Sequence, residues 1–259
     1  MFPSTMLDLL QWSGGLEVVQ QILDQYNESQ PAGRPLLYNA SSTRLLPPID
    51  RPGKIVALGI NYRDHAEETE IALPEFPVVF SKFPSAVIGP GDDIVIPKVS
   101  NKIDWEVELG VVIGQTCKAV EFKDALDYVA GYTVLNDVTA RDIQMGDGQW
   151  VRGKSLDTFC PMGPCIVTAD ELGDASGLKM HTKVNGTIKQ DSSTSNLVFD
   201  VPHIISHLSQ SFSLEPGDVI ATGTPAGVGF TRKPPEYLKH GDEVEAYVED
   251  IGYLKNKVV

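Results

Sequence analysis

The sequence predicts an α+β fold dominated by strands. Ten apolar stretches of strand length alternate irregularly with only a few helical ones, neither a regular βαβ order nor an all-β one. Glycine (23) and proline (18) are plentiful, which favours many short strands and turns over a helical bundle. Hydrophobic residues at 42% and charged residues at 22% of 259 leave enough apolar material for one large core.

In chain order, residues 5–26 carry apolar side chains at helical spacing: Leu7 and Leu10, then Val18, Val19, Ile22 and Leu23. The run breaks at Ser13-Gly14-Gly15, so two short helices fit. Residues 27–53 hold several prolines and little periodicity and read as a linker. The chain thus divides into a short helical segment with its linker (1–53) and a main domain (54–259). Strands are expected at 54–60, 78–82, 93–96, 105–113, 129–136, 165–168, 179–184, 187–190, 219–222 and 244–248. Helices are expected at 63–70, 139–145 and 202–210. Asn185-Gly186 separates two strands and reads as a two-residue hairpin turn. The same residues begin a glycosylation triplet, but the turn explains them better.

The formal charge is 21 − 35 = −14 and the pI about 4.7. Such a chain, without basic runs, repels phosphate backbones, so nucleic acid is not expected as a partner. It also repels small acids, and a site for one would need a local positive source such as a bound divalent cation. Cys117, Cys160 and Cys165 form no zinc-type pair and cannot all be bridged. They read as buried thiols in a reducing compartment. No apolar run approaches the roughly 18 residues that span a bilayer, so no membrane role is expected. The amino end shows no charged stretch followed by an apolar one. Cytoplasm is the default location, and mitochondria the alternative if a targeting segment has been cut from that end.

The most informative stretch is Asp104-Trp-Glu-Val-Glu-Leu-Gly-Val-Val-Ile. In a strand, Asp104, Glu106 and Glu108 share one face and Trp105, Val107 and Leu109 the other. Three carboxylates on one partly buried face repel each other unless a cation offsets them, and carboxylate oxygens suit Mg²⁺ or Mn²⁺. The alternative is a solvated strand face. Asp137, at the end of the next strand, shifts the balance toward a metal site of two glutamates and an aspartate. Calcium suits less well, because no EF-hand or other oxygen-rich loop is present. Asp137, Arg141 and Gln144 follow at i, i+4 and i+7, which would stack them on one helical face. A guanidinium and an amide there suit a bound carboxylate and carbonyl; a purely local Asp137–Arg141 ion pair is the other reading. His203 and His207, at i and i+4, lack a third ligand and fit an amphipathic helix better than a metal site. Gly223-Thr-Pro-Ala-Gly-Val-Gly lacks the lysine of a phosphate loop, and Pro225 removes a donor. Neither Cys160 nor Cys165 has a base placed to make it a nucleophile.

Four blocks carry a resemblance: Asp104-Trp-Glu-Val-Glu-Leu, Asn136-Asp-Val-Thr-Ala-Arg-Asp, Gly153-Lys-Ser-Leu-Asp-Thr-Phe and Thr222-Gly-Thr-Pro-Ala-Gly-Val-Gly. In order and spacing they resemble the fumarylacetoacetate hydrolase family, most closely its domain-containing-protein-2 branch. The resemblance implies a β-rich mixed sandwich or roll with few short helices, in a homodimer. It makes Glu106, Glu108 and Asp137 the metal ligands for Mg²⁺ or Mn²⁺, with Asp104 a neighbour outside them. Lys154 becomes the stabiliser of a developing oxyanion, and Arg141 and Gln144 the substrate contacts. Gly223 and Thr224 belong to the loop that receives a substrate carboxylate. His65 and Glu68, at i and i+3, become a water-activating dyad on a lid; a short helix would put them on one face. Family members of this branch begin with a longer small domain, of which residues 1–53 would be the remainder.

The activity implied is a divalent-metal-dependent hydrolase that cleaves a carbon–carbon bond in an acylpyruvate-type 2,4-dioxo acid through a metal-held enolate. Several alternatives share that enolate: tautomerisation or decarboxylation of oxaloacetate, and isomerisation or decarboxylation of aromatic meta-cleavage products. Outside enzymes, the alternative is a metal-binding module without turnover. The full set of Lys154, Arg141, Gln144 and His65 argues against that.

Overall fold

The structure is a computed structural model that describes residues 3–29, 39 and 42–259. Two helices open the chain, α1 (Met6–Gln11) and α2 (Gly15–Ser29). Thr5 caps α1 by accepting from the Asp8 amide, and Leu10 is its buried residue. Of the expected linker, residues 30–38, 40 and 41 lie outside the described residues. Ile49, further along it, is buried against the main body.

The main body follows in the order β1 (Ile55–Gly59), α3 (Arg63–Glu68), β2 (Val78–Lys82), β3 (Val87–Ile88), β4 (Ile103–Asp104), β5 (Val107–Ile113), β6 (Val129–Asn136) and β7 (Thr139–Ala140). Then come α4 (Arg141–Asp147), α5 (Val151–Lys154), β8 (Cys160–Thr168), α6 (Ala169–Leu172), β9 (Lys179–Val184) and β10 (Thr187–Ser193). The chain closes with α7 (Val201–Ser211), β11 (Val219–Ala221), β12 (Glu243–Val248) and β13 (Gly252–Lys257). A mixed sheet of seven strands runs β2-β1-β11-β5-β6-β8-β3, and an antiparallel sheet of four runs β10-β9-β12-β13. With few short helices, this is the β-rich α+β architecture that the sequence predicts.

Every residue of β5 and β6 is buried, because elements cover both faces of the larger sheet. Val107, Leu109 and Val111 point into a core shared with Met180, Ala246 and Val248 of the smaller sheet and with Ile204, Ile205 and Leu208 of α7. Val112 points to the other face, with Ile55, Ala57, Leu135 and Val219. Helix α7 begins where Asp200 accepts from the His203 amide and Pro202 presets the first turn. Its buried residues recur at helical spacing, and His203 and His207 go to separate aromatic partners, Phe122 and Phe76. Asn185 and Gly186 both take positive φ, 51° and 75°, in the hairpin between β9 and β10.

Several expectations need correction. Residues 93–96 are not a strand: Ile94 makes only an isolated bridge to Val258. The strand expected at 105–113 starts at Val107, and Ile103–Asp104 form a separate strand, β4, paired to β7, so Asp104 does not share a continuous face with Glu106 and Glu108. Helix α4 starts at Arg141 rather than 139, because Thr139 and Ala140 pair with β4; Asp137 therefore does not stack on a helical face with Arg141 and Gln144. Cys165 is exposed, while Cys117 and Cys160 are buried as expected. The expected strand at 165–168 is the end of the longer β8.

Ile205 is fully buried in the main core and Ile188 is 53% exposed on β10. Ile205→Ala should lower unfolding free energy by roughly 2–5 kcal/mol in urea titration, and Ile188→Ala by less than about 1 kcal/mol. Equal shifts for the two variants would contradict this account of the core.

Candidate active site

The register of β5 against β6 assembles the carboxylates. Val107 pairs with Asn136 and Glu108 with Leu135, and the Asp137 amide donates to the Glu106 carbonyl at 2.8 Å. Side chains two residues apart share a face, so Glu106, Glu108 and Asp137 converge on one side of the pair. One carboxylate oxygen from each lies within 4.8 Å of the others, and all three residues are buried.

Buried cations surround them. Lys154 ends α5 and places its ammonium 2.6 Å from both Glu106 Oε2 and Asp137 Oδ2. Lys82, at the end of β2, donates to Asp137 Oδ1 at 2.6 Å and to the carbonyls of Val138 and Lys154. Arg141 Nη2 stands 2.6 Å from Glu106 Oε1, while its Nε donates to Asp104 Oδ2 at 2.8 Å and its Nη1 to Gln144 Oε1 at 3.1 Å. Burial opposes ionisation of Glu106, but Lys154 and Arg141 outweigh it and bring its carboxyl down to about 2. Glu108 makes no ion pair among the described residues and accepts the Gly223 amide at 2.8 Å. Burial, and then the charges of Asp137 and Glu106, push its carboxyl well above the usual range.

The donor set fits a hard divalent cation. It offers only oxygen ligands, converging within one ion's reach and short of positive charge at Glu108. The three expected metal ligands are therefore brought together. Asp104 lies apart from them, held by Arg141 and by the amides of Trp105, Gly229 and Phe230.

A cavity of about 90 Å³ opens beside the cluster. Glu106, Arg141, Gln144, Lys154, Thr224 and His65 supply its polar wall, and Phe80, Trp150 and Phe230 are among its apolar lining. His65 and Glu68 share a face of α3, with Nδ1 of the imidazole 3.4 Å from Glu68 Oε2. Glu68 Oε1 also accepts from the Gly227 amide at 3.0 Å, which ties α3 to the loop after β11. Within that loop the Gly223 amide is committed to Glu108. The Thr224 hydroxyl donates to the Val107 carbonyl and accepts from Gln190. Gly223 takes φ 102°, and a Cβ there would crowd Asn61.

Reasoning from sequence missed Lys82, Gln190 and Asn61. Lys82 is a lone cation closing an apolar strand, a signal that could have been read. Gln190 bridges Val107, Thr182 and Thr224, and Asn61 ties the turn after β1 to Thr222 and Phe199. No local pattern marks either, because their partners lie far away in sequence. Cys160 lies near the cluster as an inert thiol, pushed up to about 12 by burial.

Residues 54–259 match the family described as fumarylacetoacetate (FAA) hydrolase C-terminal. The chain is 46% identical over 260 residues to the oxaloacetate tautomerase FAHD2A, mitochondrial, of Bos taurus, covering 99% of this chain and 80% of that protein. Among solved structures, it is similar to a fumarylacetoacetate hydrolase from psychrophilic Exiguobacterium antarcticum, with 38% identity, a TM-score of 0.83 and coverage of 99% and 88%. It is also similar to a 5-carboxymethyl-2-hydroxymuconate delta-isomerase from Mycobacterium smegmatis, with 43% identity, a TM-score of 0.76 and coverage of 86% and 82%. A match across most of its length and the relatives' high identity place the chain in the fumarylacetoacetate hydrolase family of enzymes.

Proposed function

We propose that this protein interconverts the keto and enol forms of a small 2-oxo diacid of the oxaloacetate type, using Mg²⁺ or Mn²⁺. The observation that carries the reading is the buried Glu106–Glu108–Asp137 cluster with Lys154 beside it, opening on a small cavity. The name of the bovine relative supports tautomerisation over the carbon–carbon hydrolysis that the sequence led us to expect first.

Glu106, Glu108 and Asp137 would hold the cation, which when bound supplies Lewis-acid polarisation of a 2-oxo group. The protein's own residues do the rest. With all ionised, the carboxylates gathered here (Asp104, Glu106, Glu108, Asp137) and the cations beside them (Lys82, Arg141, Lys154) sum to a formal 3 − 4 = −1. A divalent ion would turn this to +1, which attracts an acid that the −14 chain otherwise repels. Arg141 and Gln144 offer donors to a carboxylate, and α4 presents both toward the cavity. Lys154 uses two of its three donors on Glu106 and Asp137, leaving one for the oxygen on which charge develops. His65 borders the same cavity and can move the carbon-bound proton, with Glu68 orienting the ring. Phe80, Trp150 and Phe230 exclude water.

A second reading, hydrolysis of an acylpyruvate, rests on that same pair, His65 and Glu68, which could activate water instead. The working assembly on this view is a homodimer, as the family resemblance implies.

Two experiments test these readings. Loss of enol absorbance from oxaloacetate should be accelerated by the protein with Mg²⁺ or Mn²⁺, and Asp137→Asn should lower kcat/KM by about 100-fold or more. The same variant should lose the joint thermal stabilisation by Mn²⁺ and oxalate that the wild type shows; intact stabilisation would remove the cluster from the mechanism. For the second reading, acetylpyruvate is the substrate. His65→Ala should abolish its hydrolysis while Mn²⁺ binding by calorimetry stays within about threefold. If the wild type leaves acetylpyruvate intact, hydrolysis is excluded.

A further inference from the structure

Asp104 is fully buried, yet it touches neither the other carboxylates' shared centre nor the cavity wall. An ionised carboxylate can accept about four hydrogen bonds, and Asp104 takes four. Its Oδ1 accepts from the amides of Trp105 at 2.8 Å and Gly229 at 2.7 Å. Its Oδ2 accepts from Arg141 Nε at 2.8 Å and the Phe230 amide at 2.9 Å. The neighbouring Trp105 adds a tie to the same loop, donating from Nε1 to the Gly227 carbonyl at 3.2 Å. Only glycine fits at 229, since a Cβ would collide with the Asp104 carboxylate and the Glu236 carbonyl.

Two things are fixed at once. Arg141 is gripped at Nε, the nitrogen nearest its stem, so its two terminal nitrogens are left for Gln144, Glu106 and the cavity. The Phe230 ring is laid against the guanidinium, with its centroid 4.4 Å from the Arg141 central carbon. The same loop holds Glu68 through the Gly227 amide.

We propose that Asp104, with the loop from Gly227 to Phe230, is the positioning element for acid recognition. It sets the angle at which Arg141 meets a substrate carboxylate and clamps Phe230 over that guanidinium. The proposal rests on the reading above in which Arg141 receives an acid, and it gives a role to a carboxylate that the metal cluster does not use. Asn at 104 keeps the shape but sets an NH₂ against donors on one side, so the grip on either Arg141 or the loop is lost.

The test is a cycle of Asp104→Asn, Arg141→Met and the double variant, all first checked for a cooperative melt. Turnover of oxaloacetate with Mg²⁺ and oxalate affinity in Mn²⁺ by calorimetry are measured for each. Asp104→Asn should raise KM and weaken oxalate about tenfold or more, with kcat within about threefold. In the Arg141→Met background the same change should add less than about twofold, because its route runs through Arg141. Wild-type KM and oxalate affinity in Asp104→Asn, or losses that multiply in the double variant, would overturn the proposal. Should Asp104→Asn not fold, Phe230→Ala replaces it, since it removes the ring and keeps the amide that Asp104 holds. It should show the same KM-directed loss, again absent with Arg141→Met, and an unchanged KM would overturn the assignment. If wild-type protein does not turn over oxaloacetate, the tautomerase reading fails on its own, and the oxalate cycle still decides the role of Asp104.

Discussion

Charge balance in one buried space is the constraint on which the rest of this structure depends. Carboxylates cannot be taken out of water in a group unless cations come with them, because the unpaired cost is several kcal/mol per ion. Here Lys82, Arg141 and Lys154 are each pinned to carboxylates from separate segments, Lys82 to main-chain carbonyls as well. Lys82 links β2 to the residues after β6 and to the end of α5, and Lys154 links α5 to both carboxylate strands. Arg141 links α4 to the end of β4 and to Glu106 just before β5. The interactions that neutralise the cluster are therefore also the ones that fix the relative positions of sheet and helices. Glu108 is the exception: it accepts the Gly223 amide and makes no ion pair among the described residues, so positive charge is shortest there.

Around that centre the work is divided between rigid and peripheral parts. Glu108 lies on the fully buried β5, and Glu106 and Asp137 flank the paired ends of β5 and β6, joined by the bond from the Asp137 amide to the Glu106 carbonyl. The imidazole sits on α3, a six-residue helix at the rim, whose approach runs through Ile60 at φ 55°. A β-branched residue in the left-handed region is costly, and such strain persists only where neighbours enforce it. Asn61 is that neighbour, bonded to Thr222 and to both polar groups of the Phe199 backbone. Helix α3 and Arg141 are joined through one loop, since the Gly227 amide holds Glu68 while the Gly229 and Phe230 amides hold the Asp104 that grips Arg141.

Much of this was legible in the sequence, and what was not has a common cause. Alternation in Asp104–Ile113 announced a strand with acidic residues on one face, and Asp137 after the next strand supplied the third carboxylate of the cluster because antiparallel neighbours pair residue by residue. The break at Trp105–Glu106 could not be seen, since it arises from pairing of Ile103 and Asp104 with Thr139 and Ala140, a tertiary event. The same pairing delays α4 until Arg141 and removes Asp137 from the helix. Helix α5 was missed because four residues carry no periodicity, although Lys154 within it was found through its motif. Asp104 shows the limit most clearly: its spacing resembles that of a ligand, while its partners at 229 and 230 lie more than a hundred residues away.

The place of β11 in the larger sheet carries a consequence for how the chain is made. Its three residues lie between β1 and β5, with Ile55 paired to Val219 and Val112 paired to the same Val219 from the other side. Until residue 221 has left the ribosome, the first strand has no neighbour on that flank, whereas β5 and β6 can zip together as soon as both emerge. The acidic centre can accordingly form on a half-built sheet, before the loop that follows β11 is made to cover it. On that order of synthesis the acidic cleft and the free edge of β1 stay open together until β11 is made.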